Sequence, residues 1–175
     1  MVSRALISLT DGEIEPLREA MLDVQDSVAD YYASTARTAD LGVKVRAFLT
    51  NTQRLNDLFS NQVNDKKSYL ALFNHASEHD VEVINGIKYA RNIIEHVLYI
   101  VRPKDDALIG GVLGFREYPV WDEVPEEVHT KLRPRTRDLK ISYDTELKGQ
   151  SVIETMLRAL RFYSSIAPEI VHRDQ

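Results

Sequence analysis

The chain has 175 residues, a length that suits one domain with a sizeable core. Hydrophobic residues make up 43% and charged residues 28%, the balance of a soluble globular protein rather than a disordered or fibrous one. A net charge of −5 argues against loose, non-specific nucleic-acid binding, and the absence of cysteine excludes disulfides, thiolate metal sites and cysteine nucleophiles.

The opening MVSRALISLTDGEIEP has too short an apolar run for a secretory signal, and no apolar run approaches membrane-spanning length. The expectation is a cytoplasmic protein without a membrane role. Charge is unevenly spread. Asp11, Glu13, Glu15, Glu19, Asp23, Asp26 and Asp30 face a single Arg18 in the first acidic stretch. KLRPRTRDLK instead carries Lys131, Arg133, Arg135, Arg137 and Lys140 against Asp138, which leaves room for a local basic site.

From Asp11, a candidate N-cap, apolar residues recur at Ile14, Leu17, Met21, Val24, Val28 and Tyr31/Tyr32, the spacing of a helix with one buried face. A break is expected near Thr38–Gly42. Val45, Phe48, Leu49, Leu55, Leu58, Phe59 and Val63 then mark a second helix. SYLALFNHASEHDVEVINGIKYARNIIEHVLYIV reads as a third helical stretch, with candidate breaks near His79–Asp80 or Gly86, and Pro103 stops it. Residues 104–148 change character. Gly110, Gly111 and Gly114 precede a run with Phe115, Tyr118, Val120 and Trp121 that suits a short β-hairpin or an ordered loop, and the basic segment follows. Val152, Ile153, Met156, Leu157, Leu160 and Phe162/Tyr163 mark a last helix. The expected fold is all-α: an up-and-down helical bundle of four to five long helices, one domain over 1–175, with an irregular insertion at about 104–148.

The third stretch ends in KYARNIIEHVLYIVRP. On a helical wheel with Arg91 at zero, Arg102, Glu95, Lys88, Tyr99, Asn92, Asn85 and His96 fall between about 0° and about 140°, and apolar residues fill the rest. Arg91 and His96 mark the edges of one polar wedge. An ordinary solvated face with an Arg91–Glu95 pair is one reading of it. Arg followed by His at three tolerated spacings arises about once by chance in such a composition. Asn directly after the Arg makes the pattern more specific.

Arg91-Asn92-x-x-x-His96 in a helical bundle resembles the R-x(4–6)-H motif of the HEPN superfamily, the higher eukaryotes and prokaryotes nucleotide-binding domains. The resemblance implies a metal-independent endoribonuclease of the toxin or abortive-infection kind, with a composite site across a two-fold homodimer. It implies catalytic roles for Arg91, Asn92 and His96, no cofactor or metal, RNA as the partner, and an antitoxin or defence-system protein as a further partner. In members paired with nucleotidyltransferase antitoxins, a Tyr stands two residues after the His; here Leu98 holds that place and Tyr99 follows it. The residue types suit RNA cleavage. Histidine can serve as base or acid near neutrality, and arginine offers a charged fork to phosphate oxygens. Lys88, Tyr99, Arg102, Arg133, Arg135 and Arg137 are the expected RNA-binding residues.

Two other readings compete. The chain could be a non-catalytic helical interaction protein, such as an antitoxin, a phage accessory protein or an inactive relative. His75 and His79, spaced i,i+4 with Glu78 and Glu82 nearby, could instead serve a metal-binding bundle enzyme, with His96 or His129 as a third ligand. Trp121 and Tyr118 would either stack a base beside the arginines or anchor the insertion to the bundle.

Overall fold

A computed structural model describes residues 7–34, 38–62, 69–73, 78–94, 101–102 and 119–171. The protein is an all-α helical bundle. The long helices are α1 (Asp11–Ser34), α2 (Thr38–Gln62), α3 (Glu78–Ile94) and α7 (Val152–Ile166). α1 packs on α2 and α7, and α3 packs on the same two, so the four close a ring around one core. Leu17, Met21 and Val24 of α1, Val45, Phe48, Leu49 and Leu55 of α2, and Val152 and Met156 of α7 are all sealed from solvent, as the periodicity predicts. Tyr32 and Leu157 face outward instead.

Several boundaries differ from the sequence reading. The Glu13 carboxylate accepts from the backbone N–H and the hydroxyl of Thr10, and the Thr10 carbonyl receives the Ile14 N–H. Thr10, rather than Asp11, therefore caps α1, because a residue three before a Glu can form a capping pair. Those bonds also hold the Glu13 carboxyl below its usual range. α2 begins at Thr38, so Thr38–Gly42 is its first turn and not a break. Tyr69–Phe73 is a separate 3-10 turn, and α3 starts only at Glu78, then passes through Gly86 without interruption. Val101–Arg102 form strand β1 rather than a helix end. Arg102 precedes Pro103, whose ring disfavours the helical conformation for the residue before it. β1 pairs antiparallel with β2 (Val120–Trp121), so a short ladder exists, but it ties the entry of the 104–148 segment to its interior. Phe115, Tyr118 and the three glycines of that segment lie outside the described residues.

The rest of the segment is more regular than expected. α4 (Glu126–His129), α5 (Pro134–Arg137) and α6 (Lys140–Glu146) follow one another closely. Pro134 opens α5, a position where its fixed φ helps and its missing N–H costs nothing. Trp121 is fully buried, and its indole N–H donates to Thr155 Oγ1 on α7 at 3.0 Å. Tyr143 packs edge-on to it and donates its hydroxyl to the Asp122 carbonyl at 2.7 Å. Backbone bonds from Trp121 N–H to Gln150 O and from Gly149 N–H to Trp121 O lace β2 to the α6–α7 turn. Gly149 makes that turn with φ +76°, a conformation that favours glycine.

α6 lies directly against α3. A methyl group at Gly86 would stand 2.6 Å from Leu147 Cδ1 and 3.3 Å from the Ser142 carbonyl oxygen. Leu147 is fully buried and has little room to yield. The Ser142 hydroxyl donates to the Glu82 carboxylate across the same contact. Replacing Gly86 with Val should therefore lower unfolding free energy by about 1–3 kcal/mol in denaturant titration, despite valine's better helix propensity. An unchanged midpoint would mean that α3 and α6 are less tightly apposed.

Candidate functional site

α3 divides as the wheel predicts. Ile84, Ile87, Tyr89, Ala90 and Ile93 are buried on one side. Asn85, Lys88, Arg91 and Asn92 lie on the other, and all four are half-buried rather than exposed. A purely solvated face does not describe them. α2, the 3-10 turn and α5 each pack against α3. His96, Glu95 and Tyr99 lie outside the described residues, as does the Arg102 side chain. The strand conformation at Val101–Arg102 removes Arg102 from the helical wedge.

Lys88 has the most unusual setting of the described wedge residues. Its ammonium stands over the Tyr69 ring, 5.6 Å from the centroid. Burial pushes its pKa down from 10.5 to about 8; Asp57 on α2 pulls it up, and Arg135 on α5 pushes it further down. The packing of α5 on α3 thus puts Lys88 within the field of Arg135, 47 positions further along the chain. Arg133, the residue that precedes α5, and Arg135 on it are exposed, and Arg137 on the same short helix is half-buried. Asn92 donates one amide N–H to the Lys88 carbonyl one turn back at 2.7 Å, which ties its side chain to its own helix.

Tyr69 is fully buried and carries Lys88 on a fixed floor. Its hydroxyl donates to Asn56 Oδ1, and Phe59 stacks between Tyr69 and Tyr163 at 5.2 and 5.9 Å. Burial raises the Tyr69 and Tyr163 hydroxyls well above their usual range, so both stay neutral. Asp57 also accepts from Gln53 Nε2 at 2.7 Å. Sequence reasoning missed Asp57 and Tyr69. Tyr69 sits in the apolar run YLALF, and no local pattern ties either residue to Lys88.

The other candidates separate. The His129 ring faces Tyr89, with Nδ1 and the tyrosine hydroxyl 2.9 Å apart. That hydroxyl is pushed up to about 12 by burial and by Asp144 and Glu126, so Tyr89 stays neutral, and the imidazole tautomer sets which of the two groups donates. This contact gives His129 a partner within the fold. His75 and the His79 side chain lie outside the described residues, and among the described residues no three His, Asp or Glu side chains gather as a metal cage. Trp121 is sealed in the core and cannot stack a base. Among the described residues no helix is long and apolar enough to cross a membrane.

No family model, curated protein or solved structure matches the chain.

A half-buried cation destabilises the fold that holds it. Between about pH 8 and 10.5 the unfolded chain binds the Lys88 proton more tightly than the folded one, so stability contributed by this group rises with pH across that window. Lys88→Met should raise stability at pH 7 by on the order of 1 kcal/mol, discounted for partial exposure, and the gain should vanish near pH 11. Thermal melts of both proteins across pH check the sign. A variant less stable at pH 7 would mean that the Tyr69 and Asp57 contacts outweigh burial.

Proposed function

We propose that the chain is a HEPN-type, metal-independent endoribonuclease that works as a homodimer, in the role of a toxin or antiphage effector. The observation that carries this reading is the Arg91-Asn92-x-x-x-His96 pattern beginning on a half-buried polar face of α3, with Lys88 and Arg135 adding positive charge to that face. An acidic protein can engage RNA through such a local cluster, because steering depends on the local field rather than on net charge. Two copies of the face across a two-fold axis would double that charge and supply a second histidine.

In this reading His96 takes the 2′-hydroxyl proton as it attacks the adjacent phosphorus, or returns a proton to the departing 5′-oxygen. The partner copy's histidine fills the other role. Arg91 stays charged and matches the charge that grows on the phosphorane oxygens. In this reading the Asn92 side-chain oxygen orients a neighbouring donor, while its amide N–H is held by the Lys88 carbonyl. Arg133, Arg135 and Arg137 on α5 hold the RNA backbone beside α3, and an antitoxin or defence-system protein restrains the activity.

The purified protein should cut single-stranded RNA in the presence of EDTA and leave 2′,3′-cyclic phosphate and 5′-hydroxyl ends. His96→Ala and Arg91→Ala should each cost on the order of 10²–10⁴ in rate while far-ultraviolet dichroism stays unchanged. Expression of the wild type should be toxic, and both variants tolerated. Cleavage that disappears with chelator, or a folded His96→Ala that cuts at the wild-type rate, would sink the assignment. Sedimentation of a strict monomer at micromolar concentration would remove the composite site.

A further inference from the structure

We infer that Lys88 and Arg135 together form a phosphate-binding subsite at the junction of α2, the 3-10 turn, α3 and α5. The inference deepens and rests on the ribonuclease reading: within it, this subsite holds a backbone phosphate of the RNA.

Arg135 stands on α5, which packs against α3, and its charge acts on Lys88; neither cation is in a salt bridge among the described residues. Most lysines at a protein surface point their ammonium into water. Lys88 is instead half-buried, with the ammonium fixed over the Tyr69 ring. Among the described residues the groups that act on it are Asp57 from α2, Tyr69 from the turn and Arg135 from α5, with Arg91 one turn further along α3. Asp57 is exposed and also accepts from Gln53, and its charge does not offset the burial of Lys88, whose proton affinity falls on balance. A bound anion would reverse that balance. Phosphate suits the pair better than a lone carboxylate, because a guanidinium fork and an ammonium together can address two or more of its oxygens. Tyr69 is sealed beneath Lys88, so the subsite reads charge and not a base.

The chemistry makes Lys88 an amine that is partly neutral near pH 8 beside an anion attractor. Pyridoxal 5′-phosphate is the probe that reads both properties. The neutral Lys88 amine adds to the aldehyde, water leaves, and borohydride reduces the imine to a stable secondary amine that peptide mass spectrometry locates. Pyridoxal, which lacks the phosphate, controls for reactivity that comes from a low proton affinity alone. We expect Lys88 to be the principal labelled lysine at pH 7.5, with labelling by the phosphorylated probe at least about tenfold faster than by pyridoxal. In Arg135→Ala the two rates should converge, with the fold checked by dichroism. Equal rates in the wild type, or labelling spread evenly over the lysines, overturn the subsite. Cleavage in EDTA that depends on Arg91 and His96 would then still stand by itself.

Competitors identify the source of the phosphate. Protection by a short oligoribonucleotide, measured on the His96→Ala protein so that cutting plays no part, supports an RNA backbone site. Protection by inorganic phosphate or adenosine 5′-monophosphate but not by RNA keeps the subsite, assigns it to a small phosphorylated ligand, and overturns its role in RNA binding. RNA affinity should also fall as pH rises above about 8, where Lys88 loses its charge, by up to about tenfold per pH unit. Lys88→Arg stays charged and should flatten that fall. A pH profile identical in the Lys88→Arg and wild-type proteins contradicts the proposal.

Discussion

The arrangement depends on how closely α6 approaches α3. Only a residue without a side chain at position 86 lets the Ser142 carbonyl and Leu147 come that near the α3 backbone. Once α6 is seated there, the Ser142–Glu82 bond and the Tyr143–Tyr89 ring contact fix its rotation. Trp121 then docks against Tyr143 and reaches Thr155 on α7, and the Asp122 carbonyl takes the Tyr143 hydroxyl. α5, which precedes α6 by two residues, has little freedom left. It falls against α3, and the Arg135 charge acts on Lys88. The basic face is thus a downstream consequence of packing at a glycine on the far side of the same helix.

Much of the bundle was legible in the sequence because long amphipathic helices carry their own signal. α1 and α7 repeat their apolar residues over several turns, and most of those residues are buried. Shorter elements were not legible. A helix of four residues such as Pro134–Arg137 shows little more than one turn and has no period to detect, and its only local clue is the proline at its start. Val101–Arg102 looked helical because apolar residues precede it, whereas its conformation comes from Pro103 behind it and from pairing with Val120–Trp121. Thr10 was passed over as a cap because Asp11 is as good a candidate by composition. Only the Glu13 contact distinguishes them.

The same divide applies to the site. That Lys88, Arg91 and Asn92 share one face follows from helical geometry alone. That this face is half-buried does not, since burial depends on the elements packed against α3, and the groups that act on Lys88, Tyr69, Asp57 and Arg135, each stand on a different one. Position on a wheel gives direction, and burial is a property of what stands opposite. The contrast between Lys88 and Lys140 makes the point. Lys140 spends its charge on Asp144 four residues away, an exchange readable from spacing. Lys88 has no such local partner, and its setting is visible only in three dimensions. His129 shows the converse case, where tertiary structure supplies an ordinary partner, Tyr89, to a residue that spacing left isolated.

Trp121 is the only tryptophan in the chain, and it is enclosed between the 104–148 segment and α7. Its indole is therefore an optical gauge of one contact surface. While the segment is seated, the ring sits in an apolar, hydrogen-bonded slot and emits at short wavelength. Lifting the segment from α7 exposes the ring to water and shifts the emission to the red, even if α1 and α2 stay paired. Helical dichroism follows mainly the four long helices, so the two signals address different parts of one chain. Where they separate on heating, the basic face has come apart before the bundle has melted. Where they coincide, the face and the core unfold as a single cooperative unit.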